Sequence, residues 1–262
     1  MDGLLLLQAF LIGLFCYLGS ISSPWLMGVT GGYYVLGRPL VAGLIIGIIL
    51  GDVTTGVILG VAVQAAFIAT ISTGGTQNSE ITYAAYGGIA LGILSDASPG
   101  VAVTLSVGIG ALGLILHNFM MIINSIWNKR VEKATAKGDE KGIVLNNAIY
   151  PQIVNFLLRV VPITLAVYYG QGFVTKTLDV IPKDVIQIMT VLGGLLPALG
   201  VALLMNLLIK ENAQFIYFLA GFVFIAFISN SMIALTAVAL LIAYLVYSSS
   251  SGQKANAEDE VI

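Results

Sequence analysis

The chain has 262 residues, of which 58% are hydrophobic and 9% charged, with a net charge of −2 at pH 7 and a mean hydropathy of +0.99. Soluble globular chains carry roughly 25% charged residues, so the composition excludes a soluble domain and implies an all-α polytopic membrane protein. No basic patch suits a nucleic acid. A single cysteine, Cys16, and a single histidine, His117, leave neither a disulfide framework nor a metal site, and no cofactor is expected.

The first apolar run, residues 4–18, reads "LLLLQAFLIGLFCYL". No positively charged residue precedes it and no small-x-small site follows, so it is expected to be an uncleaved membrane helix. Three further apolar pieces, 40–50, 56–71 and 82–94, fall short of the roughly 20 residues a full span needs. Short pieces broken by glycine and polar residues predict re-entrant or broken helices around a central polar site. Gly43, Gly47 and Gly51 repeat every fourth residue, as do Gly56 and Gly60, with Gln64 next in that register. Such ladders let helix backbones approach closely. Asp52 lies between the two ladders, where it can end one short helix and cap the next.

The stretch Ser72–Glu80, "STGGTQNSE", gathers two Thr, two Ser, a Gln, an Asn and a Glu between apolar runs. Irregular polar backbone at membrane depth is tolerated only inside protein or beside water, so this stretch is expected to line a cavity. A further long apolar run spans 100–127 and contains His117. With no basic neighbour and no glycine-rich cradle, His117 is expected to pack as a polar core residue and to carry no phosphate.

Residues 128–150 read as a polar loop with Lys129, Arg130, Lys133, Lys137 and Lys141. Basic loop residues mark the cytoplasmic side. The run 152–170 then leads outward, 171–184 lies outside, and 185–209 returns. Within 152–170, Arg159 is the only basic residue, and it either snorkels or pairs with a buried acid. The apolar region from 212 to about 243 is interrupted at residues 229–231, so it forms one broken element or two. Residues 1–248 are read as one integral membrane transport domain, and 249–262 as a polar, disordered tail.

Several of these segments carry a resemblance. The run "GRPLVAGLIIGIILGDVTTGVILGVAVQ" (37–64), then "LLRVVP" (157–162), "LGGLLPALGVALLMNLL" (192–208) and "IYFLAGFVFIAFISNSMIAL" (216–235), resemble the membrane subunit IIC of the mannose–fructose–sorbose family of the bacterial sugar phosphotransferase system. The matching positions are Arg38, Pro39, Gly47, Gly51, Asp52, Thr55, Gly56, Gly60 and Gln64. The chain departs from the family in having "QNSE" where a proline often precedes the acid, and Gln64 where many members have Glu.

The resemblance implies a sugar-translocating permease subunit in the bacterial inner membrane. It would pair with a IID membrane subunit, assemble as an oligomer of IIC–IID pairs, and be served by soluble IIA and IIB phosphocarriers. No phosphoryl-carrying residue is then expected on this chain. A sugar presents hydroxyls that donate and accept, which amides and carboxylates can match. Gln64, Gln77, Asn78, Ser79 and Glu80 are the expected substrate contacts, with Tyr83 or Tyr86 available to stack on a sugar ring. A proton-coupled secondary transporter using Glu80 or Asp96 is the alternative. A scaffold without transport gains nothing from a polar cluster at membrane depth.

Overall fold

The computed structural model describes residues 2–70, 79–180, 182–211, 214–228 and 231–259. Its helices, in chain order, are α1 (Asp2–Leu18), α2 (Val29–Leu36, π-helical), α3 (Pro39–Leu50), α4 (Val53–Ala66) and α5 (Ile81–Leu94). There follow α6 (Pro99–Ala136), then α7, built from Glu140–Val144, a π-helical turn at Leu145–Ile149, and Tyr150–Val180. The chain continues through α8 (Lys183–Leu208), α9 (Phe215–Ile228) and α10 (Met232–Asp259). No strand occurs among the described residues.

Among the described residues three helices, α6, α7 and α8, are long and apolar enough to cross a membrane, and α2 with α3 makes a pair bent by 73°. The others are shorter apolar helices, α10 being apolar over Met232–Ser248. This is the pattern of long spans and short or broken helices that the apolar run lengths predict.

Three polar segments differ from their reading. The loop expected at 128–150 is helical nearly throughout: α6 extends to Ala136, and α7 begins at Glu140. Asp139 makes this restart possible, its side chain accepting from the Gly142 N–H at 3.0 Å. Helix formers such as Lys, Glu and Ala fill the segment, so polarity there marks water rather than a break. The outer segment expected at 171–184 shrinks likewise, because α7 runs to Val180. The tail expected to be disordered is helical as far as Asp259.

The chain divides into two compact units, Met1–Leu204 and Met205–Ile262. In the first, α3 and α4 form a hairpin held by its glycines. A Cβ on Gly47 would stand 2.8 Å from the Val53 Cα, and one on Gly56 2.8 Å from the Gly47 Cα. Only residues without a side chain allow this approach. The turn rests on Gly51, whose φ of +84° is left-handed, and on Asp52, which accepts from the Thr55 N–H at 3.0 Å and caps α4.

Helix α5 is the centre of this unit. Every residue from Ile81 to Gly92 is buried, as befits a helix apolar on all sides. It contacts α1, α3, α4, α6 and α7. Its π-helical turn at Ala84–Gly88 places Gly88 on Ser106 and Gly87 against Ile109 of α6. Helix α7 packs along α1 at Gly13, where a Cβ would come within 2.8 Å of the Val160 carbonyl oxygen. In the second unit, α9 and α10 lie side by side across an apolar cleft lined by Tyr217, Gly221, Phe224, Ala239 and Tyr247.

Candidate functional site

The polar stretch ends where α5 begins, and Glu80 makes that junction. Its backbone N–H donates to the Gly110 carbonyl of α6 at 3.2 Å. Its carboxylate caps α5 by accepting from the Tyr83 N–H at 3.1 Å. The Thr82 hydroxyl donates to Oε2 at 2.6 Å, and the Arg159 Nη2 donates to Oε1 at 2.7 Å. Glu80 and Arg159 are each 1% exposed. An acid and a base 79 positions apart are thus paired in the protein interior.

Around this pair the polar groups satisfy one another. Arg159 donates from Nε to the Asn155 Oδ1 at 3.0 Å and from Nη1 to the Thr82 hydroxyl. Asn155 in turn donates to the Ser20 Oγ at 3.2 Å. Asn155 and Arg159 are four residues apart on α7, which puts them on one helix face. The guanidinium lies 5.0 Å from the centre of the Tyr83 ring. Buried charge is tolerated when it is paired and its remaining hydrogen-bonding groups are met, and this network does both.

The sequence candidates fall in different places. Gln77 and Asn78 lie outside the described residues. Ser79 sits beside Gly110 of α6, and its buried Oγ has no hydrogen-bond partner among the described residues. The Gln64 Oε1 is also buried and unpartnered. It lies one turn beyond Gly60 on the glycine-bearing face of α4. Asp52 is exposed at the opposite end of that helix, about 18 Å away at 1.5 Å per residue. It belongs to the turn and not to the polar stretch. Glu80 is sequestered by its partners.

Tyr83 and Tyr86 do not offer open ring faces. Both are buried. Their hydroxyls donate to the Leu158 and Leu36 carbonyls at 2.7 and 2.8 Å, and the guanidinium of Arg159 lies against the Tyr83 ring.

Sequence reasoning did not find Thr82, Asn155 or Ser20. The available signal was an Asn and an Arg four apart in an apolar run. It also did not anticipate a set of partnerless polar atoms on α6. The His117 Nδ1, the Asn124 Oδ1 and the Trp127 Nε1 are all buried without a hydrogen-bond partner among the described residues. His117, expected to pack as a polar core residue, is buried with its Nδ1 unpartnered among the described residues.

A family model for the sorbose-specific IIC component of the PTS system matches residues 6–245. A search among curated proteins finds no match. Among solved structures, one described as "Structure of membrane protein" is similar with a TM-score of 0.74 at 22% identity, covering 94% of each chain. A second, from a cryo-electron microscopy structure of the mannose transporter ManYZ with microcin E492, has a TM-score of 0.57 at 22% identity. It covers 95% of this chain and 96% of that one. At these identities, the structural likeness is one of fold.

Proposed function

The chain belongs to the sorbose-specific IIC component family of the phosphotransferase system, and from that membership we propose that it is the sugar-translocating permease subunit of such a system. It binds a hexose or hexose derivative at membrane depth and delivers it to a IIB partner for phosphorylation on the cytoplasmic side. The observation that carries this reading is that two buried acceptors, Gln64 Oε1 and Ser79 Oγ, have no hydrogen-bond partner among the described residues, the second of them belonging to the polar stretch of an otherwise apolar chain. Buried polar atoms are almost always satisfied, and a sugar hydroxyl is a group that would satisfy these.

Gln64, Gln77, Asn78 and Ser79 are assigned to contact with the sugar. Glu80 is assigned to holding the stretch in place, because its oxygens already accept from Arg159, Thr82 and the Tyr83 N–H. The partners of this reading are a IID membrane subunit, soluble IIA and IIB phosphocarriers, and further IIC–IID pairs, in a multi-pass arrangement in the bacterial inner membrane. The mannose transporter of similar fold favours a neutral hexose.

The test is uptake of labelled hexoses into vesicles holding the chain with its IID partner. Phosphoenolpyruvate with the soluble carriers should drive uptake and yield sugar phosphate inside. Uptake driven by a proton gradient alone, as free sugar, would instead make the chain a secondary transporter.

A further inference from the structure

The inner face of α6 is a single stripe with steps of four and three residues: Ser106, Gly110, Gly113, His117, Met120, Asn124, Trp127. Its first half is closely packed, and the Ser106 Oγ there is also buried without a hydrogen-bond partner among the described residues. Ser106 meets Gly88, Gly110 admits Ser79 and Ala84, and a Cβ on Gly113 would overlap the Tyr83 ring. Beyond Gly113 three more such atoms follow. His117 is 8% exposed, and its Nδ1, the Asn124 Oδ1 and the Trp127 Nε1 are buried with no partner. The opposite face of the same helix is apolar and outward, with Leu112, Ile115 and Ile122 each more than 60% exposed. Buried polar atoms need a partner, and a helix that only packed here would carry apolar residues on this stripe as it does on the other side.

The three groups suit one kind of ligand. An amide oxygen accepts, an indole N–H donates, and a neutral imidazole does both, which matches hydroxyls that donate and accept. The Trp127 ring already stacks near Tyr150 at 5.0 Å between centres and under Arg130 at 4.7 Å, and its N–H is the polar group it has to offer. The stripe passes Ser79 at Gly110 and runs about 15 Å from His117 to Trp127 at 1.5 Å per residue. It ends where Lys129, Arg130 and Lys133 follow in the sequence.

We propose that His117, Asn124 and Trp127 form a second sugar subsite, a release track along α6 that takes the hexose from the polar stretch towards the basic end of the helix. This rests on the permease reading above. On the track the sugar exchanges the acceptors near Ser79 for His117 and then for Asn124 and Trp127, so its hydroxyls stay paired as it moves.

Single cysteines test this in the intact complex with its IID partner, in a Cys16→Ala background. His117→Cys and Asn124→Cys should react with a water-soluble maleimide applied to inside-out vesicles. Mannose or sorbose, used as probes, should slow that reaction. Ile115→Cys, on the outward face, should show no such protection. Binding of the same two sugars is measured on the same vesicles. If neither sugar binds, the permease reading fails and the track with it. If a sugar binds but leaves labelling at 117 and 124 unchanged, or if neither thiol reacts, the track alone is wrong. A second measurement uses phosphoenolpyruvate-dependent uptake. His117→Leu and Asn124→Leu should slow it about fivefold, the loss of one neutral hydrogen bond. His117→Gln, which keeps an acceptor, should recover most of the rate. Equal rates for His117→Leu and the parent would overturn the assignment.

Discussion

Arg159 reaches Glu80 across 79 positions of sequence, and both side chains are 1% exposed. Removing one member of such a pair leaves a buried charge without compensation, which typically costs about 3–5 kcal/mol. Glu80→Gln should therefore lower the thermal unfolding midpoint of the purified complex sharply. The double variant Glu80→Gln with Arg159→Met should lose less than the two single changes added together, because the orphaned charge is gone. Additive losses would mean that the pair contributes no coupling. The contact residues should behave differently. On the proposed assignment, Asn78→Ala and Gln64→Ala should each cost one neutral hydrogen bond to the sugar, about 0.5–1.5 kcal/mol, or roughly a two- to tenfold weaker affinity. Sugar binding normalised to folded protein measures this, and unchanged affinity in both would move the site elsewhere.

The α3–α4 hairpin makes its own predictions as an element. A Cβ on Gly43 would overlap the Gly56 carbonyl and stand 2.9 Å from the Gly60 Cα. Both obstacles are backbone, so the helices must separate. Overpacking of this kind costs about 1–3 kcal/mol, and Gly43→Ala should lower the unfolding midpoint and the yield of assembled complex. Gly108→Ala is the control: nothing lies within 4 Å of its Cβ, and alanine favours a helix by about 1 kcal/mol over glycine. It should be neutral or stabilising. At the turn, Asp52→Asn keeps an oxygen for the Thr55 N–H, whereas Asp52→Ala removes it. The unfolding midpoint should fall in the order parent, Asn, Ala. A fall in sugar affinity with stability intact would instead place Asp52 at the site.

Sidedness belongs to the molecule as a whole. The basic residues around the junction of α6 and α7 include Lys129, Arg130, Lys133, Lys137 and Lys141, and such a cluster stays in the cytoplasm. Lys137 lies at the end of α6, and Lys183 opens α8 after the far end of α7. In a Cys16→Ala background, Lys137→Cys should be shielded from an impermeant thiol reagent in intact cells, and Lys183→Cys should be labelled. The reverse pattern would invert the topology and put the α6 stripe's basic end outside.

Much of this arrangement is local, and so it is written in the sequence. Run length and polarity determine that the chain enters a membrane, because each exposed polar group there carries a free-energy penalty wherever the chain goes. Glycine spacing marks the α3–α4 contact, since a missing side chain is the condition for close backbones. The turn chemistry of Gly51 and Asp52 acts over a few residues and could be read directly. The segment 128–150 misled because polarity reports water, and a helix end can be as wet as a loop. The network around Glu80 was beyond reach for another reason. Whether Arg159 meets water or Glu80, whether Tyr83 shows a face or covers a guanidinium, and whether His117 finds a partner depend on which helix faces pack together. Those pairings join residues dozens of positions apart, and only the assembled bundle, with α5 at its centre, brings them within hydrogen-bonding distance.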